Sequence, residues 1–304
     1  MIRVVLSRLL WSIPVLFLVA TLTFVIMHAV PGGPFDKEKK LPPEIKANVE
    51  AKYHLNEPLW RQYGLYLGGL MKGDLGPSYK YLGRTVNDVI ADTLPVSAEL
   101  GILALLIAAV LGVGSGTLAA VNGGAVDRMN IILATIGISV PSFVLGALLV
   151  LVFSHTFHLL PPALWEDPRN AILPALALGL APAAYIARLT RSAVLGVQGQ
   201  DYIRTARAKG LSEGTIIRRH LLRNALTPVV TILGPLAAGL ITGSLVVEYI
   251  FSIPGMGKFY ITAATNRDYP LIMGVTLVYA IFIVLANLAV DLINAYLDPR
   301  IRLQ

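Results

Sequence analysis

The sequence predicts an all-α polytopic membrane protein with six transmembrane helices. Three observations carry that prediction. First, 55% of its 304 residues are hydrophobic and only 14% are charged. Soluble domains carry about 25% charged residues, so lipid must cover part of this surface. Second, six apolar stretches approach the roughly 20 residues that cross a hydrocarbon core. Third, Lys and Arg crowd one side of the predicted spans.

The six stretches are 9–30, 96–120, 131–153, 172–187 with its flanks, 229–250 and 271–293. The first is longer than a signal-peptide core and no A-x-A pattern follows, so it reads as a retained helix. The fourth is short and carries Pro174 and Pro182. It is expected to be kinked and buried among other helices, which satisfy the freed backbone groups. Six spans place both termini on one side. If that side is the cytoplasm, it holds thirteen basic residues, from Arg3 and Arg8 through the 188–223 group to Arg300 and Arg302, and the short outer loops hold only Arg169, Lys258 and Arg267. That asymmetry predicts cytoplasmic termini. It also accounts for the net charge of +7 as topology and gives no support for nucleic-acid binding.

The chain divides into an N-terminal span (1–30), an external helical segment (31–95) and a five-helix core (96–304) with a basic cytoplasmic loop at 188–227. Residues 43–69 of the external segment show helical patterning through Ile45, Val49, Tyr53, Trp60 and Tyr63. Proline and glycine punctuate both ends, at 31–34 and at Gly73, Gly76 and Pro77. In the basic loop, 202–209 and 215–224 read as two short helices around Gly210-Leu211-Ser212-Glu213-Gly214, with Ser212 as N-cap. Ile203, Ala206, Leu211, Ile216, Ile217, Leu221 and Leu222 cannot all face water. Two readings stand: an amphipathic hairpin on anionic lipid, or a docking element for a cytosolic partner.

No cysteine is present, which excludes disulfides, thiolate metal sites and cysteine nucleophiles. No G-x-x-x-x-G-K-[ST] loop is present, so the chain is not an ATPase by that route. Gly112/Gly116 and Gly239/Gly243 form G-x-x-x-G pairs, which let backbones approach at a helix contact or along a narrow path. The letters Gly210-x-Ser212-x-Gly214 match a nucleophile elbow, but the residues before them are helical and no acid–histidine pair follows. His155 and His158 lack accompanying acids, so no metal site is expected. Glu99, Glu248 and Asp291 lie near span ends. Glu248 follows Thr242, Gly243 and Ser244 on the expected pore-lining helix, as an interfacial carboxylate or as a partner for a cationic substrate terminus. No charge falls near a span centre, so an ion-coupled secondary transporter lacks its ligand. No nucleophile–base pair supports an intramembrane enzyme.

Three segments carry a family resemblance. The run 202–211, Tyr-Ile-Arg-Thr-Ala-Arg-Ala-Lys-Gly-Leu, precedes His220-Leu221-Leu222-Arg223-Asn224-Ala225-Leu226-Thr227-Pro228. The outer segment contains Leu41-Pro42-Pro43-Glu44-Ile45, Tyr53-His54-Leu55-Asn56-Glu57-Pro58-Leu59 and Gly73-Asp74-Leu75-Gly76-Pro77-Ser78. The late segment has Glu248-Tyr249-Ile250-Phe251-Ser252-Ile253-Pro254-Gly255-Met256-Gly257, then Asn266-Arg267-Asp268-Tyr269-Pro270. Together, over residues 8–300, these resemble ABC-importer permeases of the peptide and nickel class, and within it the B-type subunits. Arg204, Thr205 and Ala206 stand where the general importer pattern has E-A-A; R-T-A-R-A-K-G is the usual form in the peptide class that the chain resembles.

The resemblance implies a type I ABC importer permease fold and import of oligopeptides across the cytoplasmic membrane. Dipeptides, murein peptides or nickel are the alternatives within the class. It implies four kinds of partner: a homologous second permease subunit, two cytosolic ATPases, an external substrate-binding protein and the peptide itself. ATP and Mg would be bound by the ATPases, with no cofactor in this chain. Thr205, Ala206, Arg207, Ala208, Lys209, Gly210 and Leu211 would couple to an ATPase. Gly239, Gly243, Ser244 and Glu248 would line the substrate path. Glu44, Tyr53 and Tyr63 would contact the binding protein.

Overall fold

The computed structural model describes residues 2–35 and 50–297. Glu44, Ile45, Val49, Arg300 and Arg302 lie outside the described residues. Among the described residues the protein is helical, with one isolated bridge between Pro77 and Thr85. Five helices are long and apolar enough to span a membrane, or six if one sharply bent pair counts as a single span.

Helix α1 (Ile2–Ala29) is the first span. The connecting segment carries α2 (Leu59–Met71). Helix α3 (Val86–Asn122) begins ten residues earlier than its apolar stretch suggests. A capping box starts it there: Thr85 Oγ1 accepts from Asp88 N at 3.1 Å, and the Asp88 carboxylate accepts from Thr85 N at 2.9 Å. Val86, Val89 and Ile90 then bury against Met256, Leu271 and Val275.

Helix α4 (Gly124–Ser139) and α5 (Ser142–Leu149, continued by a π segment, Val150–Thr156) meet at a bend of 105°. This is the 131–153 stretch, expected as one span and found broken or re-entrant. Proline supplies the break. Pro141 lacks an N–H and pushes Val140 out of the helical region, to ψ 121°.

Helix α6 (Ile172–Gln198) runs through Pro182 and is the most enclosed of the five long spans, with half of its apolar window buried. Its chief neighbour is α3. Leu100, Ala104, Ala108, Gly112 and Gly116 recur every four residues and are all buried on one face of α3. A Cβ at Gly112 would stand 2.6 Å from the Ile186 side chain, and one at Gly116 would collide with the Ala187 carbonyl. Gly179 answers from α6, where a Cβ would stand 2.6 Å from the Ala104 carbonyl oxygen. The first G-x-x-x-G pair is therefore a helix-packing seam, as expected for association without a hydrophobic driving force.

After α6 come α7 (Asp201–Ala208) and an irregular helix over 213–225 with a π segment, Ile216–Leu221. Helix α8 (Thr227–Ile241) breaks at 242–244 and restarts as α9 (Leu245–Ile250). Helices α10 (Met256–Asn266) and α11 (Tyr269–Leu297) are the last helices among the described residues. Helices α1 and α11 run antiparallel. Arg8 pairs with Asp291 at 3.0 Å at one end, and the His28 ring meets Tyr269 at 5.7 Å at the other. Val86, at the start of α3, packs by Leu271, whereas Ala120, near its other end, packs by Leu221 of the 199–226 loop, so the described part of the 31–85 segment and that loop sit at opposite ends of the bundle.

Candidate coupling loop and translocation surface

The 199–226 loop is a helical hairpin closed on its own apolar face. Ile203 and Ala206 of α7 bury against Ile216, with Val197 beside them. Leu221 and Ala225 bury against Val194 and Ala120. Leu211 is the apolar residue of the expected set left exposed. Most of the loop's apolar surface is thus spent within the hairpin and against α3 and α6, which leaves little to immerse in lipid.

Helix α7 ends in a Schellman motif. Gly210 N–H donates to Arg207 O at 2.9 Å, and Leu211 N–H to Ala206 O at 3.3 Å. Gly210 has φ +75°, the left-handed conformation that side chains disfavour. Of the seven coupling residues expected from the sequence, Thr205, Arg207, Ala208, Lys209, Gly210 and Leu211 are exposed, and Ala206 is buried as the fastening point. Arg207 is engaged within the chain: its Nε donates to Glu213 Oε1 at 2.8 Å across the Gly210 turn. That bond holds the Glu213 carboxyl below its ordinary range. The pair is present at neutral pH and is lost as pH falls through the lowered carboxyl value. Both groups are solvated, so the pair stiffens the turn more than it stabilises the fold. Beneath the hairpin, Arg191 grips Asp127 with two parallel bonds, one of 2.6 Å from Nη2, and so ties α6 to the start of α4.

The second surface is the break between α8 and α9. Gly243 has φ +102°, and a Cβ there would stand 2.5 Å from Glu248 Oε1. The second G-x-x-x-G pair is therefore not a helix seam: Gly239 faces open space within 4 Å and Gly243 forms the break itself. Ser244 is extended and opens α9. A cavity of about 240 Å³ lies against this break, lined by Thr242, Gly243, Leu245, Gly257, Tyr260, Val275, Thr276 and Tyr279.

Glu248 lies inside the same break. It is fully buried in this single chain. Ser97 Oγ donates to its Oε1 at 2.8 Å, and Lys258 N–H to its Oε2 at 3.0 Å. Ser97 Oγ in turn accepts from Met256 N at 2.8 Å. A Cβ at Gly255 or Gly257 would stand within 3.0 Å of the same carboxylate. The 251–258 turn therefore wraps tightly around Glu248, and both oxygens are used inside the chain. Phe251 and Ile253 bury beside it with Leu100, Leu173 and Val247. The sequence singled out the residue without these contacts, because Ser97 Oγ lies 151 positions away.

The third surface is the 31–85 segment. Tyr53 is half-buried and meets Tyr79 at 4.8 Å and Phe35 at 5.9 Å. Tyr63 OH bonds Thr21 Oγ1 at 2.6 Å, and its ring lies 5.1 Å from Phe24 of α1. Tyr63 thus holds the segment to α1, and Tyr53 packs within the segment. Burial, then the neighbouring Tyr63, pushes the Tyr66 phenol up to about 12. Burial, then the Asp268 charge, pushes Tyr79 up too. These phenols stay neutral at physiological pH, and their burial costs stability only as pH rises past the ordinary phenol value of 10.0. Trp60, Met71 and Leu82 are the most exposed large apolar residues of the segment.

This is a multi-pass helical membrane protein, with a capped hairpin at one end and a folded segment at the other. Two family models match, the membrane component of binding-protein-dependent transport systems (N-terminal part) over residues 1–101 and the binding-protein-dependent transport system inner membrane component over 108–303. The chain belongs to this family of inner membrane transport components. It is 46% identical to the oligopeptide transport system permease protein OppB of Haemophilus influenzae, over 99% of this chain and 100% of that one. It is 46% identical to the dipeptide transport system permease protein DppB of Bacillus subtilis, over 96% of each, and 45% identical to OppB of Escherichia coli K12, over 99% and 100%. In fold it is similar to the inward-facing MetNI methionine ABC transporter, with a TM-score of 0.57 at 17% identity over 69% of this chain and 96% of that one.

Proposed function

We propose that this chain is a permease subunit of an ATP-driven importer of peptides, with oligopeptides as cargo. The observation that carries the reading is near-full-length identity of 45–46% to oligopeptide and dipeptide permeases. The hairpin around Gly210 supports it. It offers a rigid, basic, mostly polar knob, suited to a protein groove and poorly suited to a lipid surface. In this reading the knob receives the closing motion of a cytosolic ATPase pair, which binds ATP and Mg. A homologous second permease subunit completes the pore. The cavity at the α8–α9 break, lined by Thr242 and Gly243, forms part of the substrate path, with Gly239, Ser244 and Glu248 on the same broken helix. The 31–85 segment seats an external binding protein.

Transport is tested in vesicles holding the chain with its second permease subunit, ATPases and binding protein. Labelled oligopeptide should accumulate with internal ATP and should not accumulate with an ion gradient alone. Gradient-driven uptake without ATP would replace this reading with secondary transport.

Orientation is tested separately. The chain has no cysteine, so single reporters are clean. Ser212→Cys, on the exposed hairpin, should react with impermeant reagents only from the cytosolic face. Ser78 is buried, so the opposite reporter is Leu82→Cys, at a residue 81% exposed. It should react only from outside; labelling with the two faces exchanged would invert the topology.

A further inference from the structure

The turn between α10 and α11 holds a buried acid that the transport reading leaves unused. Asp268 is fully buried, and so is Ser78, which donates to its Oδ2. Its carboxylate also accepts from Tyr79 N at 3.1 Å, Lys80 N at 3.4 Å and Leu271 N at 3.4 Å. Three of these donors belong to the 31–85 segment and one to the first turn of α11. Ser78 Oγ extends the knot by accepting from Tyr81 N at 2.9 Å. A carboxylate fits this place because it offers several acceptor sites to a run of backbone N–H groups, at the N-terminal end of a helix.

The two flanking residues hold the other end of the same segment. Arg267 Nη1 donates to Gly33 O at 3.3 Å, and Tyr269 OH to Gly32 O at 3.1 Å. Three consecutive residues therefore fasten both ends of a segment that is distant in sequence. The turn itself is fixed. Arg267 takes the left-handed conformation at φ +58°, and Asp268 N–H closes onto Ala263 O at 2.9 Å.

We propose that Asp268 is the positioning residue that locks the 31–85 segment to α11, so that the face offered to the binding protein moves with the transmembrane helices. The inference rests on the peptide-importer reading for its consequence, but not for the lock. Helix α11 packs along α8, and α8 begins directly after the 199–226 hairpin. A displacement delivered at that hairpin thus has a continuous packed route to residues 267–269 and from there to the segment. Without the lock, residues 78–81 would keep their ring and apolar contacts, Tyr79 on Tyr269 and Tyr81 on Phe259, and lose the polar anchor to the turn.

Two readouts test this. The first is limited trypsin digestion at Lys72 and Lys80 from the face carrying the segment, which needs no transport partner. Asp268→Ala should be cut about tenfold faster or more than the unmodified chain, the opening equilibrium scaling the rate. The second is ATP hydrolysis by the reconstituted complex. Asp268→Ala should keep basal hydrolysis and lose stimulation by the binding protein, whose affinity should fall by about tenfold or more. Asp268→Asn keeps an oxygen for Tyr79 and Leu271 and should recover part of both. Unchanged digestion in Asp268→Ala would overturn the lock. Accelerated digestion with full stimulation would overturn its role in docking. Joint loss of membrane level and basal hydrolysis in both variants would make Asp268 a general fold residue and overturn the proposal. If the unmodified complex itself shows no stimulation, the transport reading fails while the digestion result still decides the lock.

Discussion

Replacing Gly210 with valine should leave the chain in the membrane at its normal level and abolish ATP-driven uptake. Gly210 sits at φ +75° as the residue that ends α7. A side chain in the left-handed region costs about 1–2 kcal/mol, and a β-branched one is the worst fit. The two Schellman bonds, from Gly210 and Leu211, depend on that conformation. Within the chain, a Cβ here would meet nothing within 4 Å. Any loss beyond local strain must therefore come from a partner that approaches this surface. Gly210→Asn separates the two causes, since asparagine tolerates the left-handed region. If the backbone alone matters, the asparagine variant transports normally. If a groove receives the knob, both variants lose the ATPases on purification from membranes. Full ATPase recovery and full uptake in Gly210→Val would remove the docking reading and restore the lipid-surface one.

Replacing Glu248 with alanine should lower the melting temperature of the purified complex and reduce uptake of every peptide alike. The carboxylate accepts from Ser97 Oγ and Lys258 N in a buried site. Leaving those donors unpaired costs about 1–3 kcal/mol each, more than a surface change would. Gly243, Gly255 and Gly257 all pack against the carboxylate, so its removal also opens a void at the break. Glu248→Gln keeps the volume and one acceptor and should fall between the two. A substrate-binding role predicts a different pattern, in which stability is kept and only peptides with an accessible cationic group are discriminated. Differential scanning of the complex, with uptake measured for neutral and cationic peptides, distinguishes them. An unchanged melting temperature in Glu248→Ala would remove the structural role.

The sequence by itself determined the class of fold and the two ends of the protein. Apolar length and the shortage of charge are enough to place helices in lipid, because a spanning segment must satisfy its own backbone. The stop at Gly210 was legible because a helix end that needs a left-handed residue selects glycine locally. The bend before Pro141 had its local signal too, in the proline that removes an N–H, although apolar length alone merged the two halves. Tertiary structure decided the rest. Gly112 and Gly239 look alike in sequence, yet the first meets the Ile186 side chain and the second meets nothing. Glu248 was an acid near a span end, and Asp268 one letter of a motif, until the fold brought Ser97 to one and Ser78 to the other. Nothing in the sequence placed Thr21 against the Tyr63 hydroxyl. The physical reason is the same in each case. A hydrogen bond or a packing seam needs a partner at a particular distance, and partners separated by 42 to 190 residues leave no periodic trace in the chain.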